Sequence, residues 1–74
     1  MSNFWKSKGQ ALKKAIDQTT VSRSRIASDG GLSTETLRRA IDGERVISAK
    51  ANCIIKGLKL HGVQVEKEDL FEPA

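Results

Sequence analysis

The chain has few of the residues that small proteins use for cross-links. Its 74 residues include one cysteine, one proline and three aromatic residues, two Phe and one Trp. A single cysteine excludes an internal disulfide and a cysteine-based zinc site. The core must therefore come mostly from Leu, Ile, Val and Ala, and residues 1–74 are expected to form one domain, near the lower size limit for independent folding.

The sequence also lacks an uninterrupted apolar run of about 18 residues, which a membrane-spanning helix would need. Its first residues do not include the apolar stretch of a signal peptide. These absences predict a cytoplasmic protein without a membrane partner. Cys53 and His61 are each the only residue of their type, and no set of nucleophile, base and orienting residue can be assigned. We therefore predict no enzyme activity, no metal and no cofactor.

Charge is unevenly distributed along the chain, which carries a formal net charge of +4 at pH 7. Residues 1–59 hold 12 Lys and Arg and 5 Asp and Glu, whereas residues 60–74 hold one Lys and four acidic residues. A basic body with an acidic end favours a polyanionic partner such as nucleic acid. The alternative is that this charge only keeps a small domain soluble.

Residues 23–42 have the pattern of two short amphipathic helices joined by a tight turn. A small residue, Ala27, stands where the two helices would cross, and Gly31 in the turn tolerates a positive φ. Five residues at fixed offsets define this two-helix motif and the point where it ends: Ala27, Gly31, Leu32, Leu37 and Gly43. Such a pattern is typical of a helix-turn-helix that places its second helix in a DNA groove.

Helical periodicity predicts four helices and a last short turn with brief connections. The expected ranges are 8–18, 23–29, 34–42, 49–60 and about 67–71. Ser22, Ser33 and Ser48 are expected to cap the second, third and fourth helices, and Ser7 with Gln10 would form a capping box for the first. No strand pair is evident, so the predicted fold class is all-α, a compact four- to five-helix bundle containing a helix-turn-helix.

These segments resemble the lambda-repressor-like, Cro/XRE family of bacterial and phage DNA-binding domains. Residues 23–42 are similar to the family's helix-turn-helix, and segments 41–43, 61–63 and 69–71 resemble its characteristic connections and closing turn. The resemblance implies a compact bundle whose third helix enters the major groove. Two positions depart from the pattern: Arg23 replaces a usual Gln, and Gly30 replaces a usual apolar residue, so the second helix is expected to end loosely.

The outward face of the third helix supplies the candidate base-reading residues, which are Ser33, Thr34, Glu35, Arg38 and Arg39. Recognition helices usually meet base edges near their N-termini. An Arg can donate two hydrogen bonds to guanine, while Glu35 could accept from cytosine N4 or orient an Arg. The alternative is a solvated face on which Glu35 only pairs with Arg38 or Arg39.

Four other residues are candidate phosphate contacts: Ser22, Arg23, Arg45 and Lys50. Phosphate contacts commonly come from Arg, Lys, Ser and helix N-termini, and they fix a protein on the duplex without reading sequence. The serine is first of all a helix cap. Exposed cations are also common on surfaces that bind nothing.

The sequence therefore predicts a sequence-specific transcription regulator of phage or bacterial type that binds double-stranded DNA. We expect a homodimer on DNA, because one small module offers few base contacts. The alternative is an antitoxin or another protein-interaction module, with a toxin as partner. Phe4 and Trp5 belong either to the core or to a subunit interface, for which Val63, Val65 and Phe71 are further candidates.

Overall fold

A computed structural model describes residues 3–74 of the chain. The elements follow in the order β1 (Phe4–Ser7), α1 (Gly9–Asp17), α2 (Arg23–Gly30), α3 (Thr34–Ile41), β2 (Arg45–Ile47), α4 (Ser48–Leu60), α5 (Lys67–Leu70) and β3 (Phe71–Pro73). The three strands form one antiparallel sheet in the order β2-β1-β3. The described part is therefore a small α/β protein, and the predicted all-α fold class is wrong.

The sheet joins the start, middle and end of the described chain. Phe4 lies opposite Ile47 in the pairing of β1 with β2, and Ser7 lies opposite Phe71 in the pairing of β1 with β3. Each strand has only three or four residues, too few to show the alternation of polar and apolar residues that marks a strand. The segment expected to be a plain connection after α3 is instead β2.

The predicted capping box of the first helix is also wrong, because its serine belongs to the sheet. Ser7 is buried at the end of β1, and its Oγ has no hydrogen-bond partner among the described residues. The residue that caps α1 is Lys8, which makes no side-chain cap hydrogen bond. Its N–H donates to the Leu70 carbonyl at 2.8 Å, so the chain here is held by α5.

One hydrophobic core lies between the helices and the inner face of the sheet. Its largest fully buried side chains come from four helices and one strand: Leu12, Ile26, Leu37, Ile54, Leu58 and Phe71. Helical periodicity accounts for the burial of the five helical residues in this set, whereas Phe71 lies on β3 and not in the predicted last turn. Burial of Leu, Ile and Phe side chains supplies most of the free energy that opposes chain entropy in so small a domain.

The closest packing between helices joins α2 to α4 at two glycines. A Cβ on Gly57 would lie 2.6 Å from the carbonyl oxygen of Ile26, and a Cβ on Gly30 would collide with the carbonyl oxygen of Cys53. A methyl group at either position would push the two backbones apart. The expectation that Gly30 leaves the end of α2 loose is therefore wrong. Ala27, the predicted crossing residue, is buried in the core.

Among residues 3–74, no helix has both the length and the apolar character needed to span a bilayer. The longest, α4, has 13 residues and carries three lysines, Lys50, Lys56 and Lys59. The fold thus surrounds a core with short elements and leaves the outer side of α3 open to solvent.

Candidate nucleic-acid interface

The turn between α2 and α3 has the geometry that the sequence predicts. Gly31 ends α2 with a φ of 82°, in the left-handed region that favours glycine. The N–H of Leu32 donates to the Ala27 carbonyl at 2.9 Å, which satisfies one of the free carbonyls at the helix end. Leu32 then enters the core. These contacts fix the direction in which the chain enters α3.

The start and the inner side of α3 also follow the prediction. Ser33 caps the helix, because its Oγ accepts a hydrogen bond from the N–H of Thr36 at 3.2 Å. Leu37 and Ala40 are fully buried. The helix ends at Ile41, and Gly43 follows with a φ of 87°. With its inner side held by the core, α3 turns its other side to solvent.

The outer face of α3 is open to solvent. We define this face as Thr34, Glu35, Arg38, Arg39 and the helix-ending Asp42. More than half of the Glu35, Arg38 and Arg39 side chains is exposed. Four of the five predicted base-reading residues lie on this face, and the fifth, Ser33, is exposed at its N-terminal end but uses its hydroxyl as a cap. The structure therefore brings the predicted base-reading residues together on one surface.

Ion pairs connect the charged residues of this face. Arg38 donates from Nε to Glu35 Oε2 at 3.1 Å and from Nη2 to Glu35 Oε1 at 2.5 Å. On its other side, Arg38 Nη1 donates to Asp42 Oδ2 at 3.4 Å. Arg39 makes a longer contact, with Nε 3.5 Å from Glu35 Oε1. Because solvent screens such exposed pairs, they contribute little to folding stability.

The same contacts keep these groups charged. The hydrogen bonds from Arg38 hold the pKa of the Glu35 carboxyl below its usual value, and Glu35 in turn raises the pKa of the Arg38 guanidinium. The outer face of α3 carries two arginines and two acidic residues, Glu35 and Asp42. This face combines hydrogen-bond donors and acceptors with no excess of charge, although residues 1–59 as a whole are basic.

The predicted phosphate contacts lie on three other elements. Arg23 is the first residue of α2, Lys50 lies in the first turn of α4, and Arg45 is exposed on β2. Ser22 caps α2 by accepting a hydrogen bond from the N–H of Arg25 at 3.2 Å. Two of the cations thus stand where unpaired backbone N–H groups and the helix dipole also favour an anion.

The fourth helix begins one residue earlier than predicted. Ser48 is its first residue rather than its cap, and the capping position falls on Ile47. The Ser48 hydroxyl instead accepts a hydrogen bond from Lys67 Nζ at 2.7 Å. The same ammonium group lies 4.0 Å from the centre of the Trp5 ring, so Lys67 connects α5 to both α4 and the sheet.

An interaction that sequence reasoning missed joins the ends of α2 and α4. His61 Nε2 lies 2.6 Å from Asp29 Oδ2, and Arg25 Nε lies 3.3 Å from the same oxygen. The hydrogen bond with His61, assisted by that with Arg25, lowers the pKa of Asp29. Asp29 and His61 are 32 residues apart in sequence, so no local pattern around either residue predicts that they meet.

The aromatic and valine residues considered for a subunit interface divide between core and surface. Val63 and Phe71 are buried, and Trp5 and Val65 are half-buried against the core. Only a surface residue can contact a partner without unfolding, so Val63 and Phe71 are excluded from an interface. Phe4 is 47% exposed.

No group of three or more His, Cys, Asp or Glu within residues 3–74 could hold a metal ion. Two shallow grooves follow the end of α4 and the segment after it, and neither includes a residue of α3. The larger groove is lined by Asn52, Ile55, Lys56, Lys59 and Leu60. The predicted site is therefore an exposed helix face that lies outside both of these grooves.

No protein-family model, curated protein sequence or solved structure matches this chain. The resemblance to the Cro/XRE family therefore stays a prediction, and the functional assignment rests on the residues of the chain itself.

Proposed function

We propose that this protein is a sequence-specific transcription regulator of phage or bacterial type that binds double-stranded DNA through α3. One observation carries the proposal: a short helix, fixed by a glycine turn and a serine cap, presents Thr34, Glu35, Arg38 and Arg39 on its solvent side. These side chains supply the donors and acceptors that read base edges in known complexes. A recognition helix requires such an exposed polar face directly after the turn that positions it.

The dimensions of α3 support the same function. Its eight residues give a length of about 12 Å at 1.5 Å per residue. The major groove of B-DNA is about 12 Å wide and admits an α-helix. The helix can thus enter the groove with the outer face of α3 turned toward the bases and Leu37 and Ala40 still held in the core.

The predicted phosphate-contacting cations on α2, β2 and α4 would then contact the phosphates. Arg23 and Lys50 stand in the first turns of their helices, and Arg45 is exposed on the sheet. Each phosphate neutralised by Lys or Arg releases a counterion, so binding to any duplex should weaken steeply as salt rises. This sequence-independent attraction would bring the protein onto DNA, after which α3 selects the site.

We infer that the active species on DNA is a homodimer. One module of this size buries only about 600–1,000 Å² against DNA, and one short helix reaches few base pairs. A two-fold pair doubles the readout and places half-sites about one helical turn apart. Footprinting tests this inference, since a single half-site bound by one subunit without cooperativity would contradict it.

Selection of bound duplexes from a random DNA pool tests the main proposal. We expect an enriched motif with two related halves, and an affinity for random duplexes that falls steeply between about 50 and 200 mM salt. The absence of any duplex binding at low salt would overturn the proposal. It would leave the protein-interaction module, such as an antitoxin, as the alternative.

A further inference from the structure

We propose that Glu35 and Asp42 are specificity determinants, because they hold Arg38 so that one edge of its guanidinium is left to read guanine. The inference rests on the proposed function, since it concerns how the outer face of α3 would read DNA. It assigns to the two carboxylates a positioning role, and to Arg38 the contact with the base.

The donors of Arg38 show how this arrangement works. A guanidinium has five N–H groups, one on Nε and two on each terminal nitrogen. Glu35 occupies the edge formed by Nε and Nη2 with two hydrogen bonds, at 3.1 and 2.5 Å. Asp42 lies on the opposite side along the helix, where Nη1 donates to it at 3.4 Å.

Two N–H groups remain, one on Nη1 and one on Nη2. When Asp42 accepts from the Nη1 hydrogen that points away from Nη2, the remaining two form the end of the guanidinium. Such a pair is parallel and planar, and it matches the O6 and N7 acceptors of guanine in the major groove. A free arginine can offer any of its edges to bases or phosphates. With its sides occupied by Glu35 and Asp42, Arg38 offers this end, so it pairs with guanine and has fewer ways of contacting a phosphate.

Arg39 provides the internal contrast. It lies on the same face of α3, but among residues 3–74 its ion pair is with Glu35 alone, at 3.5 Å. Its guanidinium is therefore not held on two sides, and it can turn toward a base or a phosphate. We expect Arg38 to give most of the discrimination between guanine and other bases, and Arg39 to adapt to the sequence that is present.

The carboxylates also act through their charge. They cancel the two arginines on the outer face of α3, so this face gains little from phosphates in general. Removing the charge of Glu35 should therefore strengthen binding to random duplexes while it weakens the alignment of Arg38. A positioning role predicts that loss of the Glu35 charge weakens binding to the selected site relative to random duplexes. Simple repulsion predicts that the same change strengthens binding to both alike.

The first test compares Glu35→Gln with the wild type on the selected site and on random duplexes. Glutamine keeps the size of the side chain but loses the charge and one of the two acceptors. Because an exposed pair changes an equilibrium by about twofold, we expect the ratio of specific to random affinity to fall about twofold. Glu44→Gln removes a charge next to α3 from a residue without a hydrogen bond to Arg38, and should leave the ratio unchanged.

The second test replaces each guanine of the selected site in turn with 7-deazaguanine, which lacks the N7 acceptor. In the wild type, one replacement should weaken binding markedly, and the same replacement should cost less in Glu35→Gln and in Arg38→Ala. Equal affinity changes on specific and random DNA in Glu35→Gln, or equal costs of 7-deazaguanine in the wild type and Glu35→Gln, would overturn the positioning role. If the wild type itself does not distinguish the selected site from random DNA, the proposed function fails and this inference fails with it.

Discussion

The crossing of α2 with α4 and the outer face of α3 differ in what they contribute. At the crossing, two backbones meet at Gly30 and Gly57 with no room for a methyl group. On the outer face of α3, charged side chains are more than half exposed and contact one another. The crossing stabilises the fold through close packing. The outer face of α3 provides hydrogen-bond donors and acceptors but adds little to folding stability. Stability and DNA binding should therefore respond to separate sets of substitutions.

The largest expected effect is on folding, from Gly57→Ala. In an open helix, alanine is more favourable than glycine by about 1 kcal/mol. Here the new methyl group would lie 2.6 Å from the Ile26 carbonyl oxygen, and because a backbone atom cannot move aside as a side chain can, overpacking of about 3 kcal/mol or more should outweigh that gain. We expect a lower free energy of unfolding in urea.

Lys56→Ala is the matched control, because Lys56 is exposed on the same helix and its replacement should leave stability nearly unchanged. A Gly57→Ala variant that is more stable than the wild type would show that α2 and α4 do not approach closely in solution.

The next effect is on binding, from Arg38→Ala. Removal of a bidentate contact to guanine should weaken binding to the selected site by about 1–3 kcal/mol, with a smaller change on random duplexes. The thermal midpoint should stay close to that of the wild type, because more than half of this side chain is exposed. Fluorescence anisotropy on both duplexes measures the change. Equal reductions on both would reassign Arg38 to a phosphate contact.

A smaller and different effect is expected from Arg23→Ala and Lys50→Ala. Both should weaken binding to all duplexes alike, and each should reduce the slope of log affinity against log salt by about one unit, because each removes one phosphate contact. The comparison with Arg38→Ala separates phosphate contacts from base contacts on the same protein. Unchanged slopes in both variants would remove these residues from the proposed interface.

The smallest effect concerns pH and the link between Asp29 and His61. The lowered pKa of Asp29 means that its ionised form is favoured in the folded state. Its contribution to stability is thus fully present above the unfolded value of about 3.9 and is lost as pH falls through the lower folded value. Asp29→Asn should therefore be destabilising at pH 6, and the difference from wild type should be smaller at pH 3.

Urea unfolding at both pH values measures this difference. His61→Ala offers a second arm, because without that hydrogen bond the pKa of Asp29 should rise toward its ordinary value. A difference between wild type and Asp29→Asn that is the same at both pH values would show that the link does not depend on the ionised carboxylate.

Local signals in the sequence account for the parts of the fold that could be predicted. The Ser22 and Ser33 caps, the Gly31 turn and the inward stripe of α3 depend on residues within a few positions of one another. The outer face of α3 follows from the same stripe, because residues between the buried positions must face solvent. For this reason the sequence predicts the candidate site more fully than the fold.

The interactions that sequence reasoning missed join distant parts of the chain. β1 pairs with β2 and β3 across about 40 and 65 residues, and no strand has enough residues to show a period. The need for Gly30 depends on the Cys53 carbonyl on another helix, and Asp29 meets His61 only after α2 packs on α4. Such interactions depend on tertiary packing, which local residue patterns do not specify.

The most direct test of the central claim, that the outer face of α3 reads DNA, is selection from a random duplex pool with wild type and Arg38→Ala in parallel. We predict that the wild type enriches a motif and that the variant loses preference at a guanine in each half while it keeps the rest. The same motif from both proteins, or no enriched motif from the wild type, would contradict the account.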